Sequence, residues 1–179
     1  MSEIEVPMEQ VQEHIQHHGE HSKEDWVGKV ALSAALIAVM AAVAALLAGH
    51  HANEAMLAQI RASDGWNFFQ AKGIKSAIIQ SKMALLKEMG REVSAKDDEK
   101  IEEYKKEQDE ISKEAKVQEA DSKAQLKVHE TLAKAVTFFQ VAIAVSAISV
   151  LVKKKKFWHL GLLFGCVGLF FFVMGLVGH

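Results

Sequence analysis

Four histidines near the start of the chain are the residues whose type and spacing best fit chemistry. His14, His17, His18 and His21 follow an i, i+3, i+4, i+7 pattern, which a helix gathers onto one face. Imidazoles at i and i+4 chelate borderline divalent metals such as zinc, nickel or copper, and Glu13 and Glu20 stand beside them. The stripe is therefore a candidate site for zinc or another divalent transition metal. The same segment also reads as an amphipathic helix lying in a membrane interface. Met8, Val11 and Ile15 then form its apolar side, and Pro7 sits in its first turn. In that reading the histidines are a solvated stripe and the protein needs no cofactor. A second polar group, His50 and His51 with Asn53 and Glu54 just beyond, follows an uncharged block and reads as an interfacial collar.

Little else suggests a reaction. There is no phosphate-cradling glycine loop and no nucleophile, base and acid at telling spacing, so no enzyme activity is expected. Cys166, the one cysteine, has no partner for an intrachain disulfide and no Cys–His zinc spacing around it. It reads as a small packing residue. Gly161, Gly165, Gly168 and Gly175 form a different kind of site. Their spacing lines one helix face, where small residues let helix backbones approach closely.

The elements that must position these residues follow from how charge is distributed. Half of the 179 residues are hydrophobic and a quarter are charged, but the two classes occupy separate blocks. Residues 1–29 are polar, acidic and histidine-rich; 30–48 carry no charge; 49–134 are dense in Lys, Glu and Asp. Residues 135–152 are uncharged, 153–156 are four lysines, and 157–178 contain no Asp, Glu, Lys or Arg. A bilayer core of roughly 30 Å needs about 20 apolar residues in a helix. The three uncharged blocks thus predict three transmembrane helices. Acidic and basic residues are mixed through the middle block, which gives no one-signed surface for nucleic acid.

The block 49–134 has no proline and no strand alternation, and it is rich in good helix formers. Ile74, Ile78, Leu85 and Met89 show helical spacing, and Ile101, Tyr104, Ile111 and Ala115 show it more faintly. Gly90 reads as a helix end, and Ser94 with Asp97 and Asp98 reads as a new helix start. The two halves around the turn near 90–97 are of similar length, each about 60 Å at roughly 1.5 Å per residue. The fold class expected is an all-α membrane protein: three transmembrane helices, with a long extramembrane antiparallel hairpin, coiled-coil-like, between the first and second. Gln108, Gln118, Ser122 and Gln125 fall where an apolar seam is wanted, so the hairpin is expected to pack against copies of itself. Trp66, Phe68 and Phe69, followed by Ile74, Ile78 and Ile79, are expected to pack the hairpin, with a subunit contact or lipid as the alternatives, and Asp64-Gly65 marks a candidate kink. The lysine loop 153–156 should face the cytoplasm. That puts the N-terminus inside and the hairpin on the periplasmic side, although Lys123, Lys127 and Lys134 run against this orientation.

Residues 26–56, WVGKVALSAALIAVMAAVAALLAGHHANEAM, resemble the bacterial membrane-protein family catalogued as domain of unknown function 4337. The LAGHHANEAM element at 47–56 is distinctive. EHSKEDW ahead of it, and Ala62-Ser63-Asp64 and Gln70-Ala71-Lys72-Gly73-Ile74-Lys75 after it, fit as well. The resemblance implies a small bacterial inner-membrane protein of this layout. It implies no activity and assigns no functional residue. Two function classes are expected: a homo-oligomeric scaffold or interaction protein whose hairpins also meet an unknown protein partner, or an oligomeric pore gated by histidine protonation or metal. A metal-binding membrane protein is the third. If the histidine stripe is a site, purified protein retains stoichiometric zinc or nickel at neutral pH, and replacing His14 and His18 with Ala abolishes it. Unmodified protein that retains no metal leaves only the interfacial helix.

Overall fold

The computed structural model describes residues 25–178; His14, His17, His18 and His21 lie outside them. Three helices follow one another: α1 (Asp25–Glu88), α2 (Ala95–Leu151) and α3 (Lys155–Val177). Each is long and apolar enough over part of its length to cross a membrane, and there is no strand among the described residues. α1 is a single helix of 64 residues. It runs through Asp64-Gly65 without a break. An isolated glycine in a long run of helix formers costs only about 1 kcal/mol.

Both turns use the same helix-ending geometry. At the first, Gly90 takes φ 68, its N–H donates to the Lys87 carbonyl (3.1 Å), and the Arg91 N–H donates to that of Leu86 (2.9 Å). This pair of bonds satisfies carbonyls left free at the end of α1, and it favours glycine at the left-handed position. α2 then starts with the Asp97 N–H donating to the Ser94 carbonyl (2.9 Å). Asp97 and Asp98 lie in its first turn, where carboxylates meet the positive end of the helix dipole. Between α2 and α3 the pattern recurs: the Lys153 N–H donates to Val150 (3.2 Å) and that of Lys154 to Ser149 (3.1 Å). Here the left-handed residue is Lys153, φ 54, at a cost on the order of 1–2 kcal/mol for a residue with a Cβ.

The chain divides into two compact units, residues 53–125 and residues 25–52 with 126–178. In the first, α1 and α2 pack antiparallel. The Ser122 hydroxyl donates to the Ala55 carbonyl (2.9 Å), the Trp66 indole N–H to Glu119 (2.8 Å), and the Gln108 amide to the Phe69 carbonyl (3.0 Å). Lys72 pairs with Glu107 (2.5 Å) and Lys82 with Asp97 (2.7 Å). The buried seam is made of small residues, Ala55, Ala58, Ala62, Ala115, Ser76 and Ser122, joined by Met83 and Ile101. This corrects one expectation. Phe68, Ile74 and Ile78, expected to pack the hairpin, do not: they are 61–63% exposed, and Leu85 and Met89, 60–66% exposed, share the outer face of α1 with the two isoleucines. The physical reason is close approach. A Cβ added at Gly65 would lie 3.1 Å from Ala115 Cβ, leaving no room for a layer of isoleucines. The glutamine and serine at seam positions fit because the opposing backbone carbonyls come within reach.

Surface ion pairs add little to this unit. Lys100 and Glu103 are an exposed i, i+3 pair on α2 (2.6 Å). Their mutual hydrogen bond raises the Lys100 pKa and lowers that of Glu103, an effect that solvent screens.

The second unit has its core in Ala34, Ile37, Ala44, Ala135, Phe139, Ala142 and Ile143, with Ala48, Val128 and Leu132 adjoining in a smaller cluster. The seam in residues 53–125 yields a direct test. Ala62→Leu, at a fully buried position, should lower stability by about 1–3 kcal/mol through overpacking. Ala120→Leu, the same change at an exposed α2 position, should alter it by about 0.5 kcal/mol or less. Thermal unfolding of the full chain in mild detergent distinguishes them, and equal effects would refute the small-residue seam.

Candidate functional site

The glycine face of α3 is the most sharply defined feature of the second unit. Gly161, Gly165, Gly168 and Gly175 are the four buried residues of α3. α3 is otherwise rich in Leu, Phe and Val, so the glycines are the one narrow groove on its surface. The side chains opposite fill it. A Cβ at Gly161 would lie 2.6 Å from Ser146 Oγ, and one at Gly165 3.1 Å from Ile37 Cδ1. At Gly168 it would meet Phe139 Cδ1 at 2.7 Å, and at Gly175 Leu132 Cδ2 at 2.6 Å. Three of these contacts come from α2 and one from α1, so the groove is occupied by the protein's own chain.

Around it the aromatic side chains stack. Phe138 lies parallel to Phe171 (5.5 Å between ring centres) and to Phe164 (6.3 Å). The Ser149 hydroxyl donates to the Ser146 carbonyl (2.6 Å), the inward bonding that keeps a hydroxyl satisfied in an apolar helix. Cys166 is exposed on α3, not packed.

The collar is placed differently. His51 is buried and His50 exposed, with their rings edge to face at 5.5 Å. Asn53 and Glu54 follow on α1 at the start of residues 53–125. One histidine that sequence reading missed is His129. Its Nδ1 lies 2.8 Å from the Ala48 carbonyl; because a carbonyl only accepts, Nδ1 is the donor. Nothing in the local sequence marks His129, since its partner is 81 residues away. Among the described residues no three His, Cys, Asp or Glu side chains lie close enough together to hold a metal. What the arrangement does is hold helices together at short range.

The glycine face can be probed one position at a time. Gly168→Ala should destabilise by about 1–3 kcal/mol even though alanine is the better helix former, because the Phe139 ring must move. Gly28→Ala, with nothing within 4 Å of the new Cβ, should stabilise by about 0.5–1 kcal/mol. Thermal unfolding in detergent reads both; the same sign for the two would remove the packing role.

The family model described as Domain of unknown function (DUF4337) matches residues 26–178. The chain belongs to that family. No curated protein and no solved structure matches it.

Proposed function

We propose that this member of the DUF4337 family is an integral membrane protein that crosses the bilayer three times and acts as a homo-oligomeric scaffold. Residues 53–125 form its interaction module. The apolar stretches of α1, α2 and α3 are the spans. The lysines at 153–156 lie on the cytoplasmic face of an inner membrane, and the hairpin lies on the other face.

The observation that carries the assembly is the row Ile74, Ile78, Leu85 and Met89, 60–66% exposed on a helix whose opposite face is already used. An apolar row on a charged surface favours a partner that covers it, and its helical spacing suits another helix. A second copy is the simplest such partner. The glycine face does not support this step, since α2 and Ile37 already fill it.

The experiment is a subunit count in mild detergent. Unmodified protein should run as an oligomer, and Ile78→Asp with Leu85→Asp should reduce the subunit count while leaving helicity unchanged. Protein that stays monomeric across several mild detergents, without crosslinks in native membranes, would end the scaffold reading. Cysteines at Val93 and Lys154 should react with impermeant reagents from opposite sides of the membrane. Labelling from one side would refute the three-span arrangement. A reproducible unitary conductance after reconstitution would favour a pore.

A further inference from the structure

The end of the second unit where α2 passes into α3 concentrates positive charge. Lys153, Lys154, Lys155 and Lys156 are all exposed, and so is Lys29 on α1. Tertiary contacts bring the two segments together. The Lys155 ammonium lies over the Trp26 ring, 5.7 Å from its centre, and the Trp158 indole N–H donates to Ser33 Oγ (3.1 Å). Lys29 stands one turn along α1 from Trp26. None of these five lysines forms an ion pair among the described residues.

The turn itself adds a further point. Lys153 fills the left-handed position (φ 54) that Gly90 fills in the matching turn. A glycine there would be conformationally easier, so the turn carries a charge at the expense of backbone comfort. Apolar side chains begin at once below the lysines: Leu32 and Leu36 on α1 and Leu160 and Leu163 on α3 are all exposed. A ligand that meets both surfaces has an anionic head and a hydrocarbon tail.

We propose that this end of the protein binds anionic glycerophospholipids of the surrounding bilayer. The lysine ammoniums of 153–156 and Lys29 hold the phosphodiester. The two tryptophans sit at headgroup depth, where such amphipathic rings are favoured. The acyl chains lie along the exposed leucines. A soluble polyanion uses the lysines but leaves the leucines bare, which is why a lipid fits better. The inference rests on the membrane reading above but not on the scaffold role.

The test uses the full-length protein, purified in mild detergent and examined by native mass spectrometry. Phosphatidylglycerol and phosphatidylcholine of the same acyl composition are the probes. Unmodified protein should retain phosphatidylglycerol over phosphatidylcholine by about tenfold or more, as several lysines acting on one anionic surface imply. Changing Lys153, Lys154, Lys155 and Lys156 together to Gln should remove the preference, and changing all four to Arg should keep it. Lys127→Gln with Lys134→Gln should leave it unchanged, because these residues lie elsewhere on α2.

If the quadruple Gln variant does not fold, Lys153→Gly provides the second measurement. It should weaken the preference severalfold while raising thermal stability. Equal retention of the two lipids, or a preference that survives loss of the lysines, would overturn the proposal. Displacement of phosphatidylglycerol by inorganic phosphate alone would assign the lysines to a soluble anion and overturn it too. Protein released from membranes by an alkaline carbonate wash would instead defeat the membrane reading. Protein that stays in the bilayer but does not discriminate between the lipids defeats only this inference.

Discussion

Close approach of helix backbones through small side chains is the interaction on which both compact units depend. In residues 53–125 it runs through Ala55, Ala58, Ala62 and Ala115, with Gly65 set against Ala115. In residues 25–52 and 126–178 it runs through the four glycines of α3 and the alanines of α1 and α2. Small residues bury little area each, so neither seam is strong through the hydrophobic effect. Its stability comes from many short contacts, each tiny and collectively large. In an apolar medium that is the principal source of helix association, because lipid tails are as apolar as leucine.

Short separations also explain how polar side chains are accommodated. Ser122, Gln108 and His129 each bond a carbonyl of the opposing helix, at Ala55, Phe69 and Ala48. Those carbonyls already accept within their own helix, and the second lone pair becomes reachable only where backbones nearly touch. Gln108 and Ser122, which look like defects in a leucine-type seam, are therefore part of a narrower one.

The counterpart of a small-residue interior is a large-residue exterior, and it has two different meanings here. On the apolar stretches, long and apolar enough to cross a membrane, Leu32, Leu36 and Leu46 are exposed. On the charged stretch of α1, Ile74, Ile78, Leu85 and Met89 are equally exposed, beside Lys75, Lys82 and Glu88. In the proposed reading the same exposure is a match to lipid in the first case and a surface for a second copy in the second. The two turns show a similar contrast, since one hydrogen-bond pattern is completed by Gly90 and by Lys153. Glycine satisfies geometry alone, whereas lysine adds a charge at the point where α2 leaves the apolar stretch.

Charge segregation, proline avoidance and the Gly90 turn made the three helices legible from the sequence by itself, as did the resemblance that the family match then established. Those features are local: a run without charge, a residue that tolerates positive φ, a carboxylate in a first helical turn. The partner of each face was not legible. Ile74, Ile78, Leu85 and Met89 have the periodicity of a seam, but periodicity shows only that residues share a face, not which face is buried. The alanines that are buried carry almost no periodic signal, because alanine suits any helix position. Likewise the glycine spacing announced a close contact without saying whether a copy or the same chain supplied it. Only the tertiary structure decided that, by setting Phe139, Leu132, Ser146 and Ile37 into the groove. The physical reason is that helix propensity and hydropathy act along a few residues, whereas close packing is settled between residues tens of positions apart.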